Sequence, residues 1–132
     1  MADTVITATM THPGPTGLRD SMAPALVTGT YEANDTDYHA MIFNTMGKRY
    51  ITYCVDNPSD KDVTVTIYGA PAITSVVGDP GVFLIGTSVT SSSTSYEEAT
   101  TDEGAMFFII RCTSAAASAT GTTVTVHAHL MQ

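Results

Sequence analysis

Residues 62–69 read DVTVTIYG and residues 122–131 read TTVTVHAHLM. In the first run Val63, Val65 and Ile67 fall on one side of an extended chain and Thr64, Thr66 and Tyr68 on the other, because successive side chains of a strand point to opposite faces. The second run repeats the pattern. Val124, Val126, Ala128 and Leu130 share the apolar side, and Thr123, Thr125, His127, His129 and Met131 lie opposite. An apolar period of two marks a sheet with one buried and one wet face.

The rest of the chain extends this reading. No window shows a helical apolar period, β-branched Thr, Val and Ile dominate, and Gly or Pro recurs between short runs, the pattern of short strands joined by turns. Strands are expected near 26–33, 39–46, 48–56, 62–69, 72–77, 82–88, 105–113 and 122–131, with a short one near 4–9. Turn signals separate them: MGK at 46–48, DNPSDKD at 56–62, GDPG at 78–81, DEG at 102–104 and TG at 120–121. The alanine-rich TSAAASATG at 113–121 reads as a loop. The expected fold is all-β, an antiparallel β-sandwich or jelly roll of about eight strands over residues 26–132. An extended arm over 1–25 precedes it, since HPGPTG at 12–17 contains two prolines that cannot donate to a ladder.

Composition bounds the function. At 132 residues the chain fits one domain, able to bury about two-thirds of its unfolded surface without a metal or disulfide. Hydrophobic residues make up 43% and charged residues 14%, too apolar for a disordered chain. Thirteen acidic side chains against five basic give a formal charge of −8, which argues against a nucleic-acid backbone or an anionic membrane as partner. The first twenty residues lack a basic start followed by an apolar run, so export by a signal peptide is not expected. No segment reaches the ~18 to 20 apolar residues of a spanning helix.

Each cluster of polar residues that could carry chemistry also fits a plainer role. Asp56, Asn57, Ser59, Asp60 and Asp62 carry calcium-type oxygens but lack EF-hand spacing, and the same residues make ordinary turns. Glu32, Asp35 and Asp37 read as another polar loop, and Glu97, Glu98, Asp102 and Glu103 as a solvated acidic loop. His127 and His129 share one strand face, yet a zinc site needs a third ligand, for which only His39 or His12 offers itself. Cys54 and Cys112 lie inside apolar runs; they read as buried free thiols, the chain having no secretion signal, with a disulfide between sheets as the alternative. GTSVT at 86–90 lacks the closing glycine of a nucleophile elbow. No cofactor and no enzymatic activity are expected.

AMFFIIRC at 105–112 breaks the alternation, being apolar on both faces, and YHAMIF at 38–43 comes close. A second apolar face needs cover, to be supplied by the arm, the long loops or a neighbouring copy. Val5, Ile6, Leu18, Met22 and Leu26 are the expected docking groups of the arm region, with Phe107, Ile109, His127 and His129 as further interface residues.

With its strand-turn-strand phrase YCVDNPSDKDVTVTIYGAP and its closing GTTVTVHAHLMQ, the chain resembles the small β-sandwich decoration, or cement, proteins of tailed-virus capsids. The resemblance implies a structural virion protein, made in the host cytoplasm and placed on the capsid surface. It also implies a homo-oligomer, a trimer by preference, that bridges subunits of the major capsid protein. The alternative is a carbohydrate- or receptor-binding module using Tyr31, Tyr38 and Tyr96 as platforms.

Overall fold

The computed structural model describes residues 3–11, 25–48, 50–90, 94–101, 105–117 and 123–131. Ten strands occur among them: β1 (Thr4–Val5), β2 (Thr9–Thr11), β3 (Ala25–Glu32), β4 (His39–Asn44), β5 (Tyr50–Asn57), β6 (Val63–Ala70), β7 (Phe83–Thr90), β8 (Thr94–Thr101), β9 (Phe107–Ser114) and β10 (Thr123–Met131). They form two sheets, ordered β1-β4-β9-β6-β7 and β2-β3-β10-β5-β8. From β3 to β10 the chain changes sheet at every connection except β6 to β7, and the eight strands pair antiparallel throughout. That order is a jelly roll, two four-stranded sheets wound as paired Greek keys.

The alternation read from the sequence is the alternation of burial. Val63, Val65 and Ile67 are sealed, and so are Val124, Val126, Ala128 and Leu130. They meet Phe108, Ile110 and Met41 of the first sheet and Ile51 and Val55 of the second in one core. Tyr53 ties the layers together, its hydroxyl 3.1 Å from Ser88 Oγ, so β5 of one sheet is fixed against β7 of the other.

Two expectations are corrected. Residues 72–77 are a series of turns rather than a strand. Val76 N–H donates to Asp79 Oδ2 at 3.0 Å and Ala72 N–H to Ser75 Oγ at 3.2 Å, and such local side-chain bonds compete with a ladder. Conversely, Thr94–Thr101 is a strand paired with β5, so Glu97 and Glu98 lie on a sheet edge and not in a loop; Asp102 and Glu103 are outside the described residues.

Residues 3–11 belong to both sheets. β1 pairs parallel with β4, and β2 antiparallel with β3, so the segment lies across one flank of the sandwich. Thr4 N–H donates to the Tyr38 carbonyl and Ile6 N–H to that of Ala40, each at 2.8 Å. Between the two short strands Ile6 turns inward and is 3% exposed. Position 29 makes this possible: a Cβ there would lie 2.6 Å from Ile6 Cγ2 and 2.8 Å from Met41 Sδ. Only glycine leaves that space.

Ile6→Ala should therefore lower unfolding stability by roughly 2–5 kcal/mol, and Gly29→Val by about 1–3 kcal/mol through overpacking. Combined, they should cost less than the sum, because both act on one contact; urea titrations of the four proteins measure this.

Candidate interaction surface

The outer face of the first sheet carries Ala40 and Ile42 of β4 and Phe107, Ile109 and Arg111 of β9, opposite the core-facing Met41, Phe43, Phe108 and Ile110. Residues 71–82 fold back over it. Asp79 N–H donates to the Val76 carbonyl and Ser75 N–H to that of Ala72, each at 3.0 Å, and Gly78 and Gly81 take positive φ angles of 103° and 83°, a conformation that costs glycine little. These turns bring Ile73, Val76 and Val77 toward Ile42 and Ile109. Part of the cover that the two-sided strands require is thus the chain's own loop.

Between this loop, β4 and the first strand lies a cleft of about 270 Å³, lined chiefly by apolar side chains with Asp3 at one side. Asp3 adds little net charge, because Arg111 grips it with Nε at 2.9 Å from Oδ2 and Nη2 at 3.0 Å from Oδ1. The guanidinium carbon also sits 3.6 Å from the centroid of the Tyr38 ring, a cation–π arrangement. Around the mouth, Val5 is 82% exposed, Val76 57% and Ile73 53%. Three exposed aliphatic side chains beside an apolar cleft make this the candidate interaction surface.

The expected docking residues separate into inside and outside. Val5 is fully on the surface, whereas Ile6 and Ile109, at 3% and 2% exposure, are sealed inside the protomer by Gly29 and the 71–82 loop. For these two the expectation of an exposed contact is corrected. Leu26 is half-buried on the outer face of the second sheet, beside His129 and Thr11. Leu18 and Met22 are outside the described residues. Phe107 is half-buried next to Met106, which is 67% exposed. His127 and His129 share the outer face of β10; His127 Nδ1 lies 3.2 Å from Thr28 Oγ1, and His129 is exposed. Among the described residues no group of three His, Cys, Asp or Glu side chains is placed to hold a metal.

Several of the other polar candidates serve the fold. Asn57 is buried and donates through Nδ2 to the carbonyls of Lys61 and Thr90 at 2.9 and 3.2 Å, while Ser59 Oγ donates to Asn57 Oδ1 at 2.6 Å. That turn is built by its own side chains. Tyr31 is buried and stacked on His39 at 4.5 Å, so it cannot serve as a platform for a sugar. His39 Nε2 lies 3.0 Å from Asp35 Oδ1; a carboxylate only accepts, so Nε2 carries the proton. Cys54 and Cys112 are buried on different sheets and are not joined by a disulfide. Ile73 and Val76 were legible as apolar positions, but reading 72–77 as a strand hid their role.

No family model matches the chain, and no curated protein matches it in sequence. Solved structures resemble it in fold. The PBSX exported protein XepA aligns at a TM-score of 0.61 and 6% identity over 77% of this chain, which spans about a third (34%) of XepA. The mitogen YPM of Yersinia pseudotuberculosis aligns at 0.52 and 12% identity, covering 80% of this chain and 84% of the mitogen. The K1 cleaved adhesin domain of Lys-gingipain from Porphyromonas gingivalis W83 gives 0.52 and 9%, covering 94% and 97%. At such identities the likeness is one of fold.

Two measurements check these assignments. The hydrogen bond from His39 holds the Asp35 carboxyl below its ordinary value, so its contribution to stability is present above about pH 4 and is lost as pH falls through the lowered folded-state value. Because Asp35 is 41% exposed, solvent screening limits it to a few tenths of a kcal/mol. Asp35→Asn should lower stability by about that amount at pH 7, with the difference from the parent vanishing in strong acid. Burial pushes the Cys112 thiol up to about 12; a disulfide-exchange reagent at pH 8 should leave Cys112 unmodified until denaturant is added.

Proposed function

We propose that this chain is a structural protein of a virus particle, a capsid decoration protein that associates with its own copies and bridges subunits of a major capsid protein. The observation that carries the reading is the aliphatic surface of Val5, Ile73 and Val76 around the cleft on the outer face of the first sheet. Apolar area removed from water contributes about 25 cal/mol per Å² before the costs of association, and repetition over a shell multiplies a modest contact. The jelly roll supports the reading as a scaffold that capsid proteins share with lectins and cupins. Acidic charge with few basic groups fits a protein that meets other proteins rather than a genome. The work is mechanical: more contacts must break before the shell opens.

Cosedimentation with particles of the source virus, stripped of this chain, tests the reading. Parent protein should bind saturably, and Val5→Asp with Val76→Asp should weaken binding by tenfold or more (~1.4 kcal/mol) while thermal unfolding stays unchanged. Binding that the double substitution leaves intact would remove this surface from the account, and no binding by the parent would reject the shell as partner.

A further inference from the structure

The four sheet edges are treated unequally. On one flank the edges are β1 and β2, of two and three residues, laid over β4 and β3; very short edge strands are a common defence against unwanted pairing. On the other flank the edges are β7 and β8, eight residues each. β8 has Glu97 and Glu98 in its middle, and charge on an edge is another such defence. β7 reads FLIGTSVT, with no charged residue and no proline. Among the described residues no strand pairs with its outer side. Its one irregularity is a bulge at Ile85, between the Ile67↔Gly86 and Tyr68↔Leu84 pairs, which leaves Gly86–Thr90 as a regular run.

That run is held straight from within. Ser88 is fixed by the Tyr53 hydroxyl, and the Thr90 carbonyl accepts from Asn57 Nδ2 at 3.2 Å. Thr87 and Val89 face outward, Val89 at 54% exposure, with Leu84 at 60% and Phe83 at 43% beyond the bulge. A preformed row of backbone donors and acceptors calls for one kind of partner, an extended strand. In a chain of net charge −8 an edge strand with no charged residue brings no like charges against a second copy of itself.

We propose that β7 is a self-association edge, at which two copies pair their β7 strands antiparallel about a twofold axis and join their first sheets into one. An antiparallel pair of identical strands is self-complementary and closes at two copies, not at the three that the resemblance implies. This deepens the assembly part of the proposed function and rests on it there. Its test uses free protein with no shell present, so failure here leaves the shell-binding result to stand or fall separately.

Sedimentation equilibrium over a concentration series tests it, with Thr87→Lys/Val89→Lys and Val5→Asp as variants. The lysines bring like charges together across the axis while lowering the net negative charge, so general repulsion between copies falls. Parent protein and Val5→Asp should show a monomer–dimer equilibrium, and the double lysine variant, folded by its thermal transition, should dimerise roughly a hundredfold more weakly. If the double variant does not fold, Val89→Lys alone should show the same direction. A parent that stays monomeric to ~1 mM, that forms trimers, or whose dimer survives the lysines would overturn the proposal.

Discussion

Ile6 occupies the space that a side chain at position 29 would fill, and this contact decides how the sandwich is closed. With Ile6 seated against Gly29 and Met41, β1 must lie along β4 and β2 along β3. One flank is then finished by backbone hydrogen bonds and an apolar plug. The Asp3–Arg111 pair and the Tyr38 ring hold the same segment from outside, so docking rests on packing, ladder bonds and a charge-assisted pair together. Ile6 and Ile109, which could have served a neighbour, are buried within the protomer, and among the described residues Val5, Ile73, Val76 and the outer side of β7 stay open.

Much of the architecture was legible because period-two patterning leaves little freedom. A one-residue slip of DVTVTIYG would carry Val63, Val65 and Ile67 into water, and the same constraint acts on the last strand. Two failures have the same cause in opposite directions. Residues 72–77 are apolar enough for a strand, but Ser75 and Asp79 bind the backbone locally and the glycines at 78 and 81 turn the chain. Residues 94–101 lack alternation, yet β5 needs a neighbour and pairs with them regardless. Tertiary pairing overrode a weak local signal.

The surface was less legible than the core. AMFFIIRC announced that a second face needed cover, and loops were one of the three possible sources; which source could not be decided from spacing, because the 71–82 loop crosses β9 to reach β4 only in three dimensions. Val5 and Ile6 are neighbours of the same chemical type, and their opposite fates, 82% and 3% exposed, depend on a glycine more than twenty positions away in the sequence. The exposed aliphatics at 73 and 76 follow from the turns that displaced the expected strand.

The first strand seals one flank of the free protomer, and on the opposite flank no described strand pairs with the outer side of β7. Residue-resolved amide hydrogen exchange on dilute protein tests it most directly. The Thr4 and Ile6 amides, which donate to the Tyr38 and Ala40 carbonyls, should exchange about as slowly as those of β4, while the outward amides of β7 exchange quickly. Thr4 and Ile6 exchanging at the rate of an unstructured peptide, with β7 fully protected in the monomer, would contradict it.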